Sequence, residues 1–207
     1  MVKGKFITFE GCEGSGKSTQ LKMLKAYLDR EGIPYILTRE PGGSPIAEDI
    51  RKIILDGKNT EMCDECEAML YAASRIQHLR EKVIPALEEG KLVICDRYVD
   101  SSLAYQGFAR GLGLEYVADI NKKAFELCTP DLTVFLNISP EKAFERKNGA
   151  DENDRMEKQG LEFHRRVYDG YLKLLDIYPR ICAVECSGTI EQTNKIIVDL
   201  LKLKGII

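Results

Sequence analysis

Gly11-Cys12-Glu13-Gly14-Ser15-Gly16-Lys17-Ser18 carries the spacing G-x-x-x-x-G-K-S. These residue types at this spacing bind the phosphates of a nucleoside triphosphate. Glycines let the backbone curl until successive N–H groups point at one anion, and a helix N-terminus adds positive potential. The Lys17 ammonium then neutralises the outer phosphate oxygens, and the Ser18 hydroxyl is placed to ligate Mg²⁺. An apolar run, Phe6-Ile7-Thr8-Phe9, precedes the motif, and Leu21, Leu24 and Leu28 follow at helical spacing. That strand–loop–helix setting separates a phosphate loop from a chance glycine-rich turn. Gly11 through Ser18, with Thr19 next in line, form the expected ATP-contacting stretch.

Three further constellations bear on what accepts the phosphoryl group. Asp96-Arg97-Tyr98 sets a carboxylate at the end of an apolar run, as a Walker-B-type strand does, with an arginine after it where a second phosphate would sit. Tyr71 and Arg75 stand four apart on one helix and share a face, suited to stacking on a flat base and bonding its edge. Arg146 and Arg155 bracket a glycine-containing acidic loop, as arginines of a closing lid would.

The elements that must position these groups follow from periodicity and breakers. Strands are expected at Lys5–Glu10, Tyr35–Thr38, Lys91–Asp96, Leu132–Asn137 and Ile181–Glu185. Helices are expected from the phosphate loop to Arg30, at Ile46–Leu55, Cys66–Glu89 with a kink at Pro85, Glu115–Leu127, from Pro140, through Leu161–Leu175, and at Ile190–Leu203. The segment Ser101–Gly113 reads as glycine-punctuated and leads to the helix at Glu115, and Asn148–Asp154 reads as a charged, unpacked loop. Strands alternating with helices predict an α/β three-layer sandwich with a five-stranded parallel sheet flanked by helices. The 207 residues suit one domain carrying a mobile lid over about 146–158.

Composition narrows the setting. Charged residues make up 30%, the net charge is −3, and no global basic field marks a nucleic-acid or membrane binder. Positive charge for phosphates must therefore be concentrated locally. No apolar run approaches the roughly 18 residues of a membrane span, and the N-terminus leads straight into the first strand, so a cytoplasmic chain is expected. Seven cysteines, scattered and odd in number, argue for reduced thiols. Cys63 and Cys66 have C-x-x-C spacing, but Cys182 and Cys186 complete a zinc site poorly. Cys12, inside the phosphate loop, is a candidate reactive thiol, while His78 and His164 read as structural or solvated.

Taken together, the motifs closely resemble the thymidylate kinase family. The likeness runs through Phe9-Glu10-Gly11, Thr38-Arg39-Glu40-Pro41-Gly42-Gly43, Tyr71-Ala72-Ala73-Ser74-Arg75, Asp96-Arg97-Tyr98, Ser101-Ser102, Ala104-Tyr105-Gln106-Gly107 and Pro130-Asp131-Leu132-Thr133. It is similar to the bacterial type, with Gly14 where the other type carries an arginine and the catalytic arginines in the lid. The resemblance implies transfer of the γ-phosphoryl group of ATP to dTMP, giving dTDP and ADP on the way to dTTP, with Mg²⁺ bound with ATP and organised by Ser18 and Asp96. It implies catalytic roles for Lys17, Arg97, Arg146, Arg155 and Glu13, the last also holding the acceptor sugar. Arg39, Arg51 and Arg97 would grip the acceptor phosphate. Tyr71 would stack on thymine, Arg75 and Ser102 bond its edge, and Tyr105, with Gln106 nearby, crowd the sugar 2′ position. A homodimer packed through helices is implied as well. This lid differs from many relatives in having few arginines, with Lys147 and Lys158 where more could stand.

Blander alternatives exist for the same residues. Arg75 could be a surface arginine paired with Glu67 or Glu81, Tyr71 a core residue, and Asp96–Arg97 a buried ion pair. Two other functions compete: a deoxynucleoside kinase acting on a free 5′-hydroxyl, and a regulatory protein that binds ATP without turnover.

Overall fold

The computed structural model describes residues 4–146, 155–156 and 159–207. The expected lid loop over 147–154, with Lys147 and the Asp151–Asp154 run, and also Lys158, lie outside the described residues. In chain order the elements are β1 (Phe6–Glu10), α1 (Lys17–Glu31), β2 (Tyr35–Arg39), α2 (Pro45–Leu55), α3 (Asp64–His78), α4 (Ile84–Glu88), β3 (Leu92–Asp96), α5 (Val99–Ser102), α6 (Leu114–Ile120), α7 (Lys122–Leu127), β4 (Leu132–Asn137), α8 (Pro140–Arg146), α9 (Leu161–Ile177), β5 (Ile181–Glu185) and α10 (Ile190–Leu203).

The five strands form one all-parallel sheet in the order β2-β3-β1-β4-β5. Strands covered on both faces read as nearly continuous apolar runs, and every residue of the central β1 is buried. Its mid-strand polar residue, Thr8, faces Thr133 of β4 with the hydroxyls 2.8 Å apart. Ile7 and Phe9 pack under α1 and α10 with Leu24, Leu28, Ile197 and Leu201. Phe6 and Val93 face the other way, toward Leu79, Val83 and Tyr98. The register sets Phe9 opposite Asp96 and Val134, so the loops after β1, β3 and β4 leave the sheet at one level. β1 lies where the strand order reverses, and open parallel sheets bind ligands there, beyond the carboxyl ends of their strands.

Three expected segments come out differently. The single helix over Cys66–Glu89 is instead α3, a widened π turn at Leu79–Val83, and α4. Pro85 has no N–H to give and its ring crowds the carbonyl four residues back, and the wide turn just before it absorbs both. The glycine-punctuated segment Ser101–Gly113, assigned no element of its own, is largely helical: α5 runs into a second π stretch, Leu103–Ala109. Leu103, Ala104, Tyr105, Gln106 and Ala109 are buried there, against α9 among other neighbours, and packing overrides the low propensity of Gly107. The helix over Glu115–Leu127 breaks at Asn121, whose amide is used by Arg75 and by the Val117 carbonyl.

Candidate active site

Gly11 and Gly16 make the phosphate loop possible. Gly11 has φ +146°, and a Cβ there would lie 2.9 Å from Ser15 Oγ and 3.2 Å from the Leu136 carbonyl. Gly16, at φ +95°, caps α1 in the left-handed region that favours glycine. The first turn of α1 thus opens into a cleft of about 970 Å³ lined by Glu13 through Gln20. Lys17 Nζ donates to the carbonyls of Gly11 at 3.0 Å and Cys12 at 3.1 Å. Burial lowers the pKa of this ammonium and Arg97 lowers it further, against Glu13, Asp96 and Glu10. A bound polyphosphate would add the opposite charge that favours the protonated form. Arg146 lines the same cleft and donates to the Cys186 carbonyl at 3.0 Å, and Gly188, Thr189 and Ile190 form its far wall.

The Asp96-Arg97-Tyr98 turn stands across the cleft. Arg97 has φ +70°, a conformation few side chains adopt without support. Support comes from both flanks: Arg97 N–H donates to the Phe9 carbonyl at 2.9 Å and Tyr98 N–H to Glu10 Oε1 at 2.8 Å. Glu10 Oε2 also accepts from Ser101 Oγ at 2.6 Å and from the Tyr171 hydroxyl at 2.7 Å. Burial lifts the Glu10 carboxyl to about 7, and neighbouring Asp100 raises it as well, while Arg97 and its hydroxyl donors oppose them. The Arg97 guanidinium is aimed by Glu13 Oε1 at 2.5 Å, by Ser101 Oγ at 3.2 Å, and by the Tyr105 ring, whose centroid lies 5.1 Å away. Its carboxylate partner is therefore Glu13, and the blander alternative of a simple Asp96–Arg97 pair does not hold. Asp96 Oδ1 is buried with no hydrogen-bond partner among the described residues, and Ser18 lines the cleft beside it. An orphaned carboxylate oxygen with a nearby hydroxyl is a hard donor set of the kind Mg²⁺ takes.

A tighter pocket adjoins the cleft and shares Glu13, Glu40, Arg51 and Arg97 with it. Tyr71, Arg75, Ser102, Tyr105 and Gln106 line this second pocket, with Leu55 and Met156. The alternative of a surface Arg75 does not hold. Its guanidinium is 1% exposed and donates to Glu40 Oε2 at 2.7 Å, to Asn121 Oδ1, and to Ser102 Oγ at 3.0 Å. Glu40 also meets His78 Nδ1 at 3.0 Å, and His78 Nε2 meets Thr38 Oγ1 at 2.7 Å, so His78 is structural. Tyr71 is half-buried at the pocket wall.

The remaining expected residues divide. Arg51 donates to the Pro41 carbonyl at 2.9 Å and lines both pockets. Arg39 lines the cleft but forks onto Glu48 at 2.7 and 3.0 Å. Arg155 does not line either pocket: its Nε donates to the Ile54 carbonyl at 3.1 Å and its Nη2 to Glu67. The thiol of Cys12 is buried and pushed up to about 11 by desolvation, which makes it inert at neutral pH and corrects the expectation of reactivity. Cys63 and Cys66 stand exposed, and among the described residues the only cluster with metal-ligand spacing is Glu40, His78 and Cys95. Glu40 and His78 of that cluster already bond each other, Arg75 and Thr38, and Cys95 Sγ donates to the Arg97 carbonyl at 3.0 Å.

Sequence reasoning missed Glu10, Glu67 and the Asp100–Arg180 pair, which closes at 2.5 Å. A signal for Glu67 was present, since Glu67, Tyr71 and Arg75 recur every four residues on one helix face.

Comparison with known proteins shows the family. The family described as thymidylate kinase matches residues 9–197. A thymidylate kinase of Clostridium novyi is 50% identical over 205 residues, 98% of this chain and 100% of the relative. One from Symbiobacterium thermophilum is 49% identical, covering 92% of this chain and 89% of the relative. Another, from a Geobacillus species, is 48% identical over 92% of each.

Proposed function

The chain belongs to the thymidylate kinase family, enzymes that phosphorylate dTMP to dTDP with ATP, and from that premise we propose how its two pockets divide the reaction. The P-loop cleft holds ATP, with Lys17 and the loop amides of Gly11 to Thr19 on its phosphates. The adjoining pocket holds dTMP. Tyr71 stacks on the thymine ring, Arg75 and Ser102 meet its edge, Tyr105 crowds the sugar 2′ position with Gln106 beside it, and Glu13 holds the sugar. Arg97, Arg51 and Arg39 grip the acceptor phosphate, Arg39 by exchanging Glu48 for it. The observation that carries this reading is Arg97, supported from both flanks and lining both pockets at once.

An acceptor phosphate oxygen is already ionised, so it attacks the γ-phosphorus without a strong base. The bond from that phosphorus to the β–γ bridging oxygen breaks, and ADP leaves with the electron pair. Phosphoryl transfer of this kind is positioning and charge neutralisation. Lys17 and Arg146 face the donor side and Arg97 the acceptor side, offsetting the repulsion between two anions. Planar guanidinium groups suit this because they grip phosphate at two points and stay charged. Ser18 and Asp96 are the residues that would hold Mg²⁺, which neutralises charge on the phosphate oxygens when bound with ATP. Residues 146–158 act as the lid of a single domain. Arg155 joins the transferring group only by leaving Glu67, and lid closure would deliver it while excluding water.

We also propose a cytoplasmic homodimer. Ile46, Ile53 and Met69 expose about half of their surface on the outer faces of α2 and α3, which favours a helix-packed partner. Sedimentation should give twice the chain mass, and a monomer at all concentrations would refute the dimer.

Coupled ADP release with ATP and either dTMP or thymidine tests the reaction. dTMP should be the faster acceptor by a wide margin. Thymidine as the better acceptor, or no turnover with either, would overturn the assignment.

A further inference from the structure

Glu67 is fully buried on α3, behind the acceptor pocket, and lines neither pocket itself. Its Oε1 accepts from Gln106 Nε2 at 2.8 Å and from Arg110 Nε at 3.3 Å. Its Oε2 accepts from Arg110 Nη2 at 3.0 Å and from Arg155 Nη2. A carboxylate shared by two guanidinium groups offers lone pairs and no proton. Gln106 must therefore turn its amino group toward Glu67, which leaves its carbonyl oxygen as the end available to the pocket it lines. That oxygen accepts no hydrogen bond among the described residues.

The opposite polarity stands nearby. Arg75 can only donate, and three of its bonds hold it in place against Glu40, Asn121 and Ser102. The pocket thus presents a fixed donor and a fixed acceptor to the edge of a flat ring. Thymine and uracil offer an acceptor at O4 and a donor at N3. Cytosine offers the reverse, an amino group at C4 and a bare lone pair at N3.

We infer that Glu67 is a specificity-positioning residue: by fixing which end of the Gln106 amide faces the pocket, it selects thymine-type over cytosine-type rings. The inference rests on reading this pocket as the dTMP site. A ring of the wrong polarity leaves buried groups mispaired, a penalty of roughly ten- to hundredfold for each. Gln106 alone would not discriminate, because a free amide rotates to suit either ring.

The test is kcat/KM for dTMP, dUMP and dCMP with the full chain, comparing wild type with Glu67→Gln. An amide at position 67 both donates and accepts, so Gln106 is released to turn over. The dTMP/dCMP ratio should fall at least about tenfold, with dUMP following dTMP. A folded Glu67→Gln variant with an unchanged ratio would overturn the inference, because general structural damage lowers all three rates together. If Glu67→Gln does not fold, Gln106→Leu decides: a ratio lowered about as far supports the inference, and an unchanged ratio sinks it. Failure of wild type to use dTMP at all is a separate outcome and removes the underlying reading of the pocket.

Discussion

Arg97 donates to the Glu13 carboxylate at 2.5 Å, closing an ion pair across 84 residues of chain. Glu13 rises from the phosphate loop after β1 and Arg97 from the turn after β3. The parallel register of those two strands brings them together. The pair marks the boundary between the two pockets, and Arg97 is held there by Glu10, Ser101 and Tyr105 acting on its turn and its guanidinium. Arg97→Lys keeps the charge but loses the fork. It should lower kcat/KM for dTMP by roughly 10²–10³, measured by steady-state ADP release. Undiminished turnover would remove Arg97 from the acceptor phosphate.

Arg155 and Arg146 make different claims on the transferring group. Arg146 already lines the cleft, whereas Arg155 is bound to Glu67 and the Ile54 carbonyl. If lid closure delivers Arg155, then Arg155→Ala should lower kcat far more than it raises KM for dTMP. An unchanged kcat would leave Arg146 as the lid cation that acts.

Tyr105 is nearly buried, with its ring against Phe163 on one side and the Arg97 guanidinium on the other. A ring fixed so firmly can exclude a ribose hydroxyl. Tyr105→Ala should narrow the preference for dTMP over UMP by roughly tenfold or more, read as a ratio of kcat/KM values. Equal discrimination before and after would show that the sugar is sorted elsewhere.

Glu10 supplies a pH signature. Its carboxyl sits at about 7, above the ordinary 4.5, first because of burial and then because of Asp100. A raised carboxyl pKa means that the fold prefers the protonated form. The contribution of this group is therefore fully present below about pH 4.5 and is lost as pH rises through about 7. Glu10→Gln carries no charge to desolvate. The stability of the variant relative to wild type, measured by denaturant unfolding, should improve between about pH 4.5 and pH 8 by on the order of a few kcal/mol. A difference that stays flat across that range would contradict the buried-carboxyl account.

The strands were legible because apolar runs ended by Glu10, Asp96 and Asn137 leave little alternative to a buried parallel sheet. The phosphate loop was legible because its chemistry demands particular residues at fixed spacing. The wide turns at Leu79–Val83 and Leu103–Ala109 were not, since a local change of helical pitch leaves the apolar pattern almost intact. Pro85 gave the first away as a kink, but nothing in Ser101–Gly113 announced burial against α9. The pairing of Glu67 with Arg155 spans 88 residues, and only the fold brings the two together. Glu10 looked like the polar end of a strand, yet three donors and a desolvated carboxyl make it the brace of the Arg97 turn.

Simultaneous occupancy tests the two-pocket account most directly. Calorimetric titration of dTMP into the chain saturated with a non-hydrolysable ATP analogue should show one dTMP bound per chain, and the reverse titration one analogue per chain. If saturation with either nucleotide abolishes binding of the other, the two share one site, and in-line transfer between them at Arg97 is excluded.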